Sequence, residues 1–253
     1  MSMRCALCLH ERELRLSHIL PEFLYQDCYD SKHRFITVPT YEGSVPATEQ
    51  KGYREYLLCH DCEQQFGEYE RATSELLRRV QAEKCPPSNF IRISDWNYHK
   101  FKMFALSILW RCHVTSLGLY SNVRLGPHAE KIRVLLKNND SGRLSQYRFF
   151  IIKTVDSEGK IPSVLIPPQR RIVQNISGYV MMAMGFTFCF TVASHKNPLS
   201  NMHYVGDDED LIVPVLTQST TEFINGLRAL IPDQHLDNAR INQIFGFPPR
   251  SSS

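Results

Sequence analysis

Two pairs of cysteines with the same spacing are the residues in this chain best suited to chemistry. Cys5 and Cys8 form one Cys-x-x-Cys pair, and Cys59 and Cys62 form the other. Each such turn presents two thiolates as neighbouring corners of a tetrahedron, and two turns complete a closed structural zinc site with no open position for a substrate. Disulfides are the alternative, although cysteines this close in sequence rarely pair with each other. We therefore predict one structural Zn²⁺ ion bound by all four thiolates.

The interval between the two pairs is long. In a simple zinc ribbon about 15–20 residues separate the Cys-x-x-Cys units, whereas residues 9–58 lie between them here. The zinc ion would therefore close a long loop that carries structure of its own. His18 lies inside this loop, so we expect the metal to serve the structure that holds this histidine.

The sequence around the cysteines resembles the HNH endonuclease family. The resemblance rests on the segments Cys-Ala-Leu-Cys (residues 5–8), Ser-His-Ile-Leu-Pro-Glu-Phe-Leu-Tyr (residues 17–25) and Leu-Leu-Cys-His-Asp-Cys-Glu-Gln-Gln-Phe (residues 57–66). They are similar to an uncharacterised bacterial branch of that family with a structural zinc. The family shares a ββα-metal fold, in which the histidine lies on a β-hairpin and a catalytic divalent cation rests between hairpin and helix. The resemblance implies metal-dependent hydrolysis of DNA phosphodiester bonds, in a bacterial defence effector or a mobile element.

The resemblance also implies roles for individual residues. His18 matches the family's general base, and a neutral imidazole can take a proton from water at neutral pH. Glu63 stands where the family has an Asn or His after the last cysteine, and Mg²⁺ or Mn²⁺ accepts a carboxylate there. Glu70, two helical turns further along the same face, is a candidate second ligand or supporting residue.

Other positions depart from the family's pattern. Ser17 replaces the aspartate that precedes the histidine, and Arg54 occupies the place of the middle asparagine. Both remain candidates for supporting a catalytic metal. Two interpretations therefore stay open. Either the site is an endonuclease with a variant carboxylate arrangement, or the module is a non-catalytic zinc-binding unit that binds nucleic acid or a protein partner.

The composition bounds the class of protein. Of its 253 residues, 43% are hydrophobic and 22% are charged, which is typical of a soluble globular protein. The net charge of +3 permits a nucleic-acid partner without requiring one. The sequence shows neither a secretory signal nor an apolar run near the ~18–20 residues that span a bilayer. We expect a cytoplasmic protein with DNA as partner and no membrane contact; a protein partner and a homo-oligomer both remain open.

The elements that must position these residues follow from hydrophobic periodicity. We predict that residues 1–25 form a zinc knuckle followed by a short hairpin. Helices are predicted over residues 61–84, from residue 94 or 95 to 112, over 128–137 and over 220–230. Segments rich in Ile, Val, Phe and Thr predict strands over residues 147–155, 163–167, 179–194 and 211–216.

These elements predict an α+β fold in three parts. Residues 1–85 form an N-terminal, zinc-stabilised ββα-metal module, which is HNH-like and treble-clef-like. Residues 86–145 form a helical connector, which begins at a proline pair that ends the first helix. Residues 146–253 form a mixed, β-rich C-terminal domain whose ligand the sequence does not indicate.

Overall fold

A computed structural model describes residues 3–37, 47–84, 89–156, 159–161, 163–173, 176–192 and 205–217. Over these residues the protein is a mixed α+β molecule with three α-helices and a six-stranded sheet, so the predicted fold class is correct at this level. None of the described helices has the length and apolar character that a membrane span requires. The helix predicted over residues 220–230 lies outside the described residues.

Three small antiparallel sheets make up the N-terminal part. They are β1 (Met3–Arg4) with β2 (Glu11–Arg12), β3 (Leu14–His18) with β6 (Arg54–Cys59), and β4 (Phe35–Thr37) with β5 (Ala47–Glu49). A 3-10 helix (Glu22–Cys28) follows β3. The hairpin expected after the first cysteine pair is therefore absent from the described structure. β3 pairs instead with β6, far along the chain, a choice that local periodicity does not encode.

Three α-helices follow, namely α1 (His60–Ala82), α2 (Tyr98–Val114) and α3 (His128–Lys137). The first and third agree with the predicted ranges to within about a turn. The second begins later than predicted, because the Oδ1 atom of Asn97 accepts a hydrogen bond of 2.8 Å from the backbone N–H of Lys100 and so caps the helix there. Asp95, one of the two predicted starting residues of this helix, has a φ of 52°, which is unsuitable for an N-cap.

The large sheet contains β7 (Phe90–Ile93), β8 (Phe149–Val155), β9 (Ile166–Val173), β10 (Ile176–Ala183), β11 (Phe186–Thr191) and β12 (Leu211–Thr217). Their spatial order is β7-β12-β8-β11-β10-β9. Neighbours are antiparallel except β8 and β12, which run parallel.

One predicted strand proves to be a hairpin. Residues 179–194 belong to β10 and β11, which are joined at Met184 and Gly185 with φ values of 54° and 72°. Two successive residues with positive φ are the mark of a type I′ turn. The turn is not evident from the sequence, because Met184 continues the apolar run of the two strands. The strand predicted over 163–167 begins at Ile166 and continues to Val173.

A single cluster of buried side chains runs from the cysteine turns to the large sheet. α2 lies at its centre, and residues 101–112 of that helix are all buried. Strand β7, from the predicted connector, pairs with β12 from the predicted C-terminal domain. The division at residues 85 and 145 remains a prediction, but the core is shared across both boundaries.

Candidate functional site

The four cysteines of the two pairs come together at one end of the molecule. The Sγ atoms of Cys5, Cys8, Cys59 and Cys62 all lie within 4.8 Å of one another. The Sγ atoms of Cys8 and Cys59 are 3.8 Å apart, about the edge of a tetrahedron with a Zn–S distance near ~2.3 Å. Within the described residues, this is the only group of three or more Cys, His, Asp or Glu side chains close enough to hold a metal ion. The four cysteines can therefore hold a metal such as zinc.

Local structure explains how the two pairs meet. The first pair lies in the turn between β1 and β2, where the backbone N–H of Leu9 donates to Cys5 O over 2.9 Å. The second pair lies where β6 passes directly into α1, so that Cys59 is the N-cap residue and Cys62 is in the first helical turn. The backbone N–H of Ala6 donates to Leu57 O over 3.0 Å and fastens the turn to the strand.

The cysteine cluster already favours one thiolate. The pKa of Cys5 is lowered to about 4, first because the thiol of Cys62 hydrogen-bonds to it. The same hydrogen bond is the first cause of the raised pKa of Cys62. The backbone N–H of Cys59 also points at Cys5 Sγ, at 3.3 Å. Such donors stabilise negative sulfur, which is the form that a metal binds.

His18 ends β3 and is the cross-strand partner of Arg54 on β6. Its Nε2 atom lies 3.1 Å from Glu22 Oε2, but the geometry is not that of a hydrogen bond, and both atoms are enclosed without a hydrogen-bond partner. The contact is therefore electrostatic, and it favours the protonated form of the imidazole. Burial lowers the pKa of His18, the charge of Arg54 lowers it further, and Glu22 opposes both. The neutral imidazole, which a general base requires, is favoured.

Glu22 was not identified from the sequence. It opens the 3-10 helix, and the Oη atom of Tyr29 donates to its Oε1 atom over 2.5 Å. Tyr29 is itself stacked on His33, with ring centroids 3.8 Å apart. The sequence offered one indication of this contact, since Glu22 is four residues after His18 and would lie near it if the chain turned at Pro21. A proline alone does not show that the chain turns there.

Ser17 and Glu63 meet on the opposite side of β3. Side chains alternate between the two faces of a strand, so Ser17 faces α1 while His18 faces away from it. The Oγ atom of the fully buried Ser17 donates to Glu63 Oε2 over 2.5 Å. The structure thus brings together two residues that the sequence analysis names as candidates to hold or support a catalytic metal.

Glu70 has a different partner. Its Oε1 atom lies 2.8 Å from Arg111 Nη1, and the side chain of Arg111 is only 1% exposed. The same Nη1 atom donates to His18 O over 2.9 Å, and the guanidinium carbon lies 5.3 Å from the Phe66 ring centroid. Burial raises the pKa of Glu70 against the opposing charge of Arg111. Arg111 was also missed, because it lies within the apolar stripe of α2 and nothing in that pattern indicates a buried ion pair.

Comparison with known proteins adds no relative. No family model, no curated protein and no solved structure matches this chain. The likeness to the HNH endonucleases therefore remains a resemblance, and it rests on the motifs within residues 5–66.

Proposed function

We propose that this protein is a metal-dependent endonuclease of the HNH type that hydrolyses DNA phosphodiester bonds, with His18 as its general base. The observation that carries the proposal is the unit formed by β3, β6 and α1. The two strands pair and β6 passes directly into the helix, which is the order of a ββα-metal fold. His18 lies on the first strand, and Ser17 beside it meets Glu63 of the helix.

The side chains around His18 support proton transfer. Nε2 is enclosed beside Glu22, which leaves Nδ1 as the nitrogen available to take a proton from the attacking water. Glu22 then stabilises the imidazolium that forms, as a carboxylate does for the histidine of other general bases. The cation of Arg54, across the strand pair, favours the approach of a phosphate.

A divalent cation would be held by the carboxylate of Glu63, with the hydroxyl of Ser17 beside it. Both residues lie on the packed face of β3, so the ion would act on a phosphate at His18 from the end of the strand, where the charge of Glu63 raises the pKa of His18. These two residues would supply few protein ligands, but Mg²⁺ commonly binds one or two carboxylates and keeps several water ligands. When bound, such an ion supplies electrostatic stabilisation of the phosphate and of the leaving oxygen. Glu70 is not assigned to it, because its carboxylate is paired with Arg111.

A second candidate function is that of a non-catalytic zinc module. The observation that favours it is that both helix carboxylates already have partners, Ser17 for Glu63 and Arg111 for Glu70, at 2.5 and 2.8 Å. Satisfied carboxylates do not require a cation. In that case the same surfaces bind nucleic acid or protein without cutting.

Cleavage of circular DNA tests the two candidates. Zinc-loaded protein is incubated with supercoiled plasmid and with a single-stranded circle, in Mg²⁺, Mn²⁺ or Ni²⁺. We expect cutting, and His18→Ala should slow it by about 10²–10⁴-fold, as for the loss of a general base, with zinc content unchanged. His10→Ala, at an exposed histidine, is the matched control and should cut like the parent. No cutting of either DNA by the parent in any metal would leave the non-catalytic candidate.

A further inference from the structure

The outer face of the β3–β6 pair carries an exposed apolar pair beside His18. Leu16 and Tyr56 are direct cross-strand partners, and they are 48% and 61% exposed. Residues two apart in a strand share a face. Leu16 and Tyr56 therefore lie on the face that also carries His18 and Arg54, which form the cross-strand pair two residues further along. Most of the Tyr56 side chain is therefore accessible to a partner.

The other face of the same strands is occupied by the protein itself. Ser17 donates to Glu63 of α1. Glu55, which pairs with Ser17 across the strands, accepts hydrogen bonds from the Oγ1 atom of Thr115 and the Oγ atom of Ser116, just after α2. One face is thus packed against the helices, and the face with His18 is open to a partner.

Arg54 gives an independent indication of what that partner is. Its Nε atom is enclosed and has no hydrogen-bond partner, and Arg54 forms no ion pair within the described part of the chain. Buried polar groups are nearly always satisfied, so such a group points to a ligand or ion. A guanidinium binds a phosphate with two parallel hydrogen bonds. This face therefore combines a half-buried guanidinium, whose enclosed Nε atom lacks a partner, with an exposed aromatic ring.

We propose that this face binds single-stranded DNA, with a phosphate on Arg54 beside His18 and the adjoining base stacked on Tyr56 and Leu16. Along β6, Tyr56 lies about 7 Å from Arg54. An unpaired base exposes its ring face to an aromatic side chain, whereas in a duplex that face is covered by neighbouring bases. This inference rests on the proposed function and deepens it, since it makes unpaired DNA the substrate class of the His18 site.

Fluorescence anisotropy with a labelled oligo(dT) strand and a duplex of the same length tests the inference. It uses the full zinc-loaded chain with no added divalent cation, so that binding is measured without cutting. We expect the single strand to bind more tightly than the duplex. Tyr56→Ala should raise the Kd by about tenfold, in line with the loss of one stacked base, while Tyr56→Phe should stay near the parent. Arg54→Gln should also weaken binding and reduce its salt dependence by about one phosphate contact.

Two substitutions outside β3 and β6 provide matched controls. Leu144 is 47% exposed, almost as much as Leu16, and Arg143 is an exposed arginine next to it. Leu144→Ala and Arg143→Gln should leave the Kd unchanged. Zinc content and the melting temperature of each variant show that a changed Kd does not come from unfolding.

The outcomes separate this inference from the proposed function. Equal affinity for single strand and duplex, or a Tyr56→Ala protein that binds like the parent, would overturn the inference. If that result accompanies His18-dependent cutting of plasmid, the nuclease stands and its substrate class is duplex. If the protein cuts no DNA yet binds single strands through Tyr56 and Arg54, the inference stands and the nuclease fails.

Discussion

At the scale of the residue, the properties of His18 are set by four charges from four different elements. Glu22 comes from the 3-10 helix, Arg54 from β6, Arg111 from α2 and Glu63 from α1. The two arginines lower the pKa of His18 and the two glutamates raise it, while burial is the largest cause of the net lowering below 6.5. A base in such surroundings remains neutral, and therefore active, somewhat below neutral pH.

Substitution of the two nearest charges should move this pKa in opposite directions. Arg54→Gln removes a cation that disfavours the imidazolium, so the pKa of His18 should rise. Glu22→Gln removes a carboxylate that favours the imidazolium, so it should fall. NMR titration of the His18 ring measures both, and Lys137→Gln, at an exposed position on α3, is the control. If the protein cuts DNA, the acid limb of its pH–rate profile should shift in the same direction as the pKa of His18. A pKa that moves in the same direction in both variants would contradict this account.

At the scale of the element, helix α1 is fixed at its two ends by different parts of the protein. Its first turn carries Cys62 and Glu63, next to the metal-binding cluster and the strand pair. At its other end the Nζ atom of Lys153, on β8, donates to Val80 O, Gln81 O and Glu83 O over 3.0, 3.1 and 2.8 Å. Carbonyls at a helix C-terminus have no partner within the helix and carry its negative dipole end. A buried lysine therefore serves as the C-terminal cap and joins the helix to the large sheet.

Loss of this cap should destabilise the whole protein. Lys153 is 3% exposed, so Lys153→Met keeps much of the buried volume but leaves backbone carbonyls without their charged donor. We expect the free energy of unfolding to fall by about 2–4 kcal/mol, measured by urea denaturation. Lys137→Met, on the exposed surface of α3, should change it by less than about 0.5 kcal/mol. A Lys153→Met protein as stable as the parent would mean that water molecules replace Lys153 as hydrogen-bond donors to these carbonyls.

At the scale of the whole molecule, the metal-binding end and the large sheet share one core. Phe66 of α1 meets Trp110 of α2 edge-on, with ring centroids 6.2 Å apart. Phe101, on the same helix, contacts Phe149 of β8, with centroids 5.1 Å apart. α2 is thus covered from one side by α1 and from the other by the sheet. α2 therefore has no exposed face that could form the surface of a separate domain.

Removal of the metal should therefore unfold more than the N-terminal part. Structural zinc supplies on the order of 10 kcal/mol of folding free energy, comparable to the whole stability of an average domain. We expect Cys62→Ser, or chelation under reducing conditions, to lower the melting temperature and to abolish near- and far-UV circular dichroism in a single transition. Cys189→Ser, outside the cluster, should melt like the parent. A sheet signal that survives chelation would instead support independent folding of the parts beyond residue 85.

The sequence by itself determined the features that depend on short-range spacing. Two Cys-x-x-Cys turns specify a tetrahedral ligand set wherever they meet, and the Sγ atoms do meet. The helices at 60–82 and 128–137 follow from an apolar period of about 3.6 residues. The turn within each cysteine pair and the helical period depend on residues close together in the chain, whereas the meeting of the two pairs depends on the fold.

Only the tertiary structure decided which distant groups surround His18. The pairing of β3 with β6 places Arg54 opposite His18 and Tyr56 opposite Leu16, and the crossing of α2 places Arg111 against both Glu70 and His18 O. No periodicity specifies such contacts, because strand partners and buried ion pairs are selected by the burial of the whole core. The cysteine pairs indicate where a metal could bind. The lowered pKa of His18 and the exposed face beside it arise only when distant strands and helices pack around the histidine.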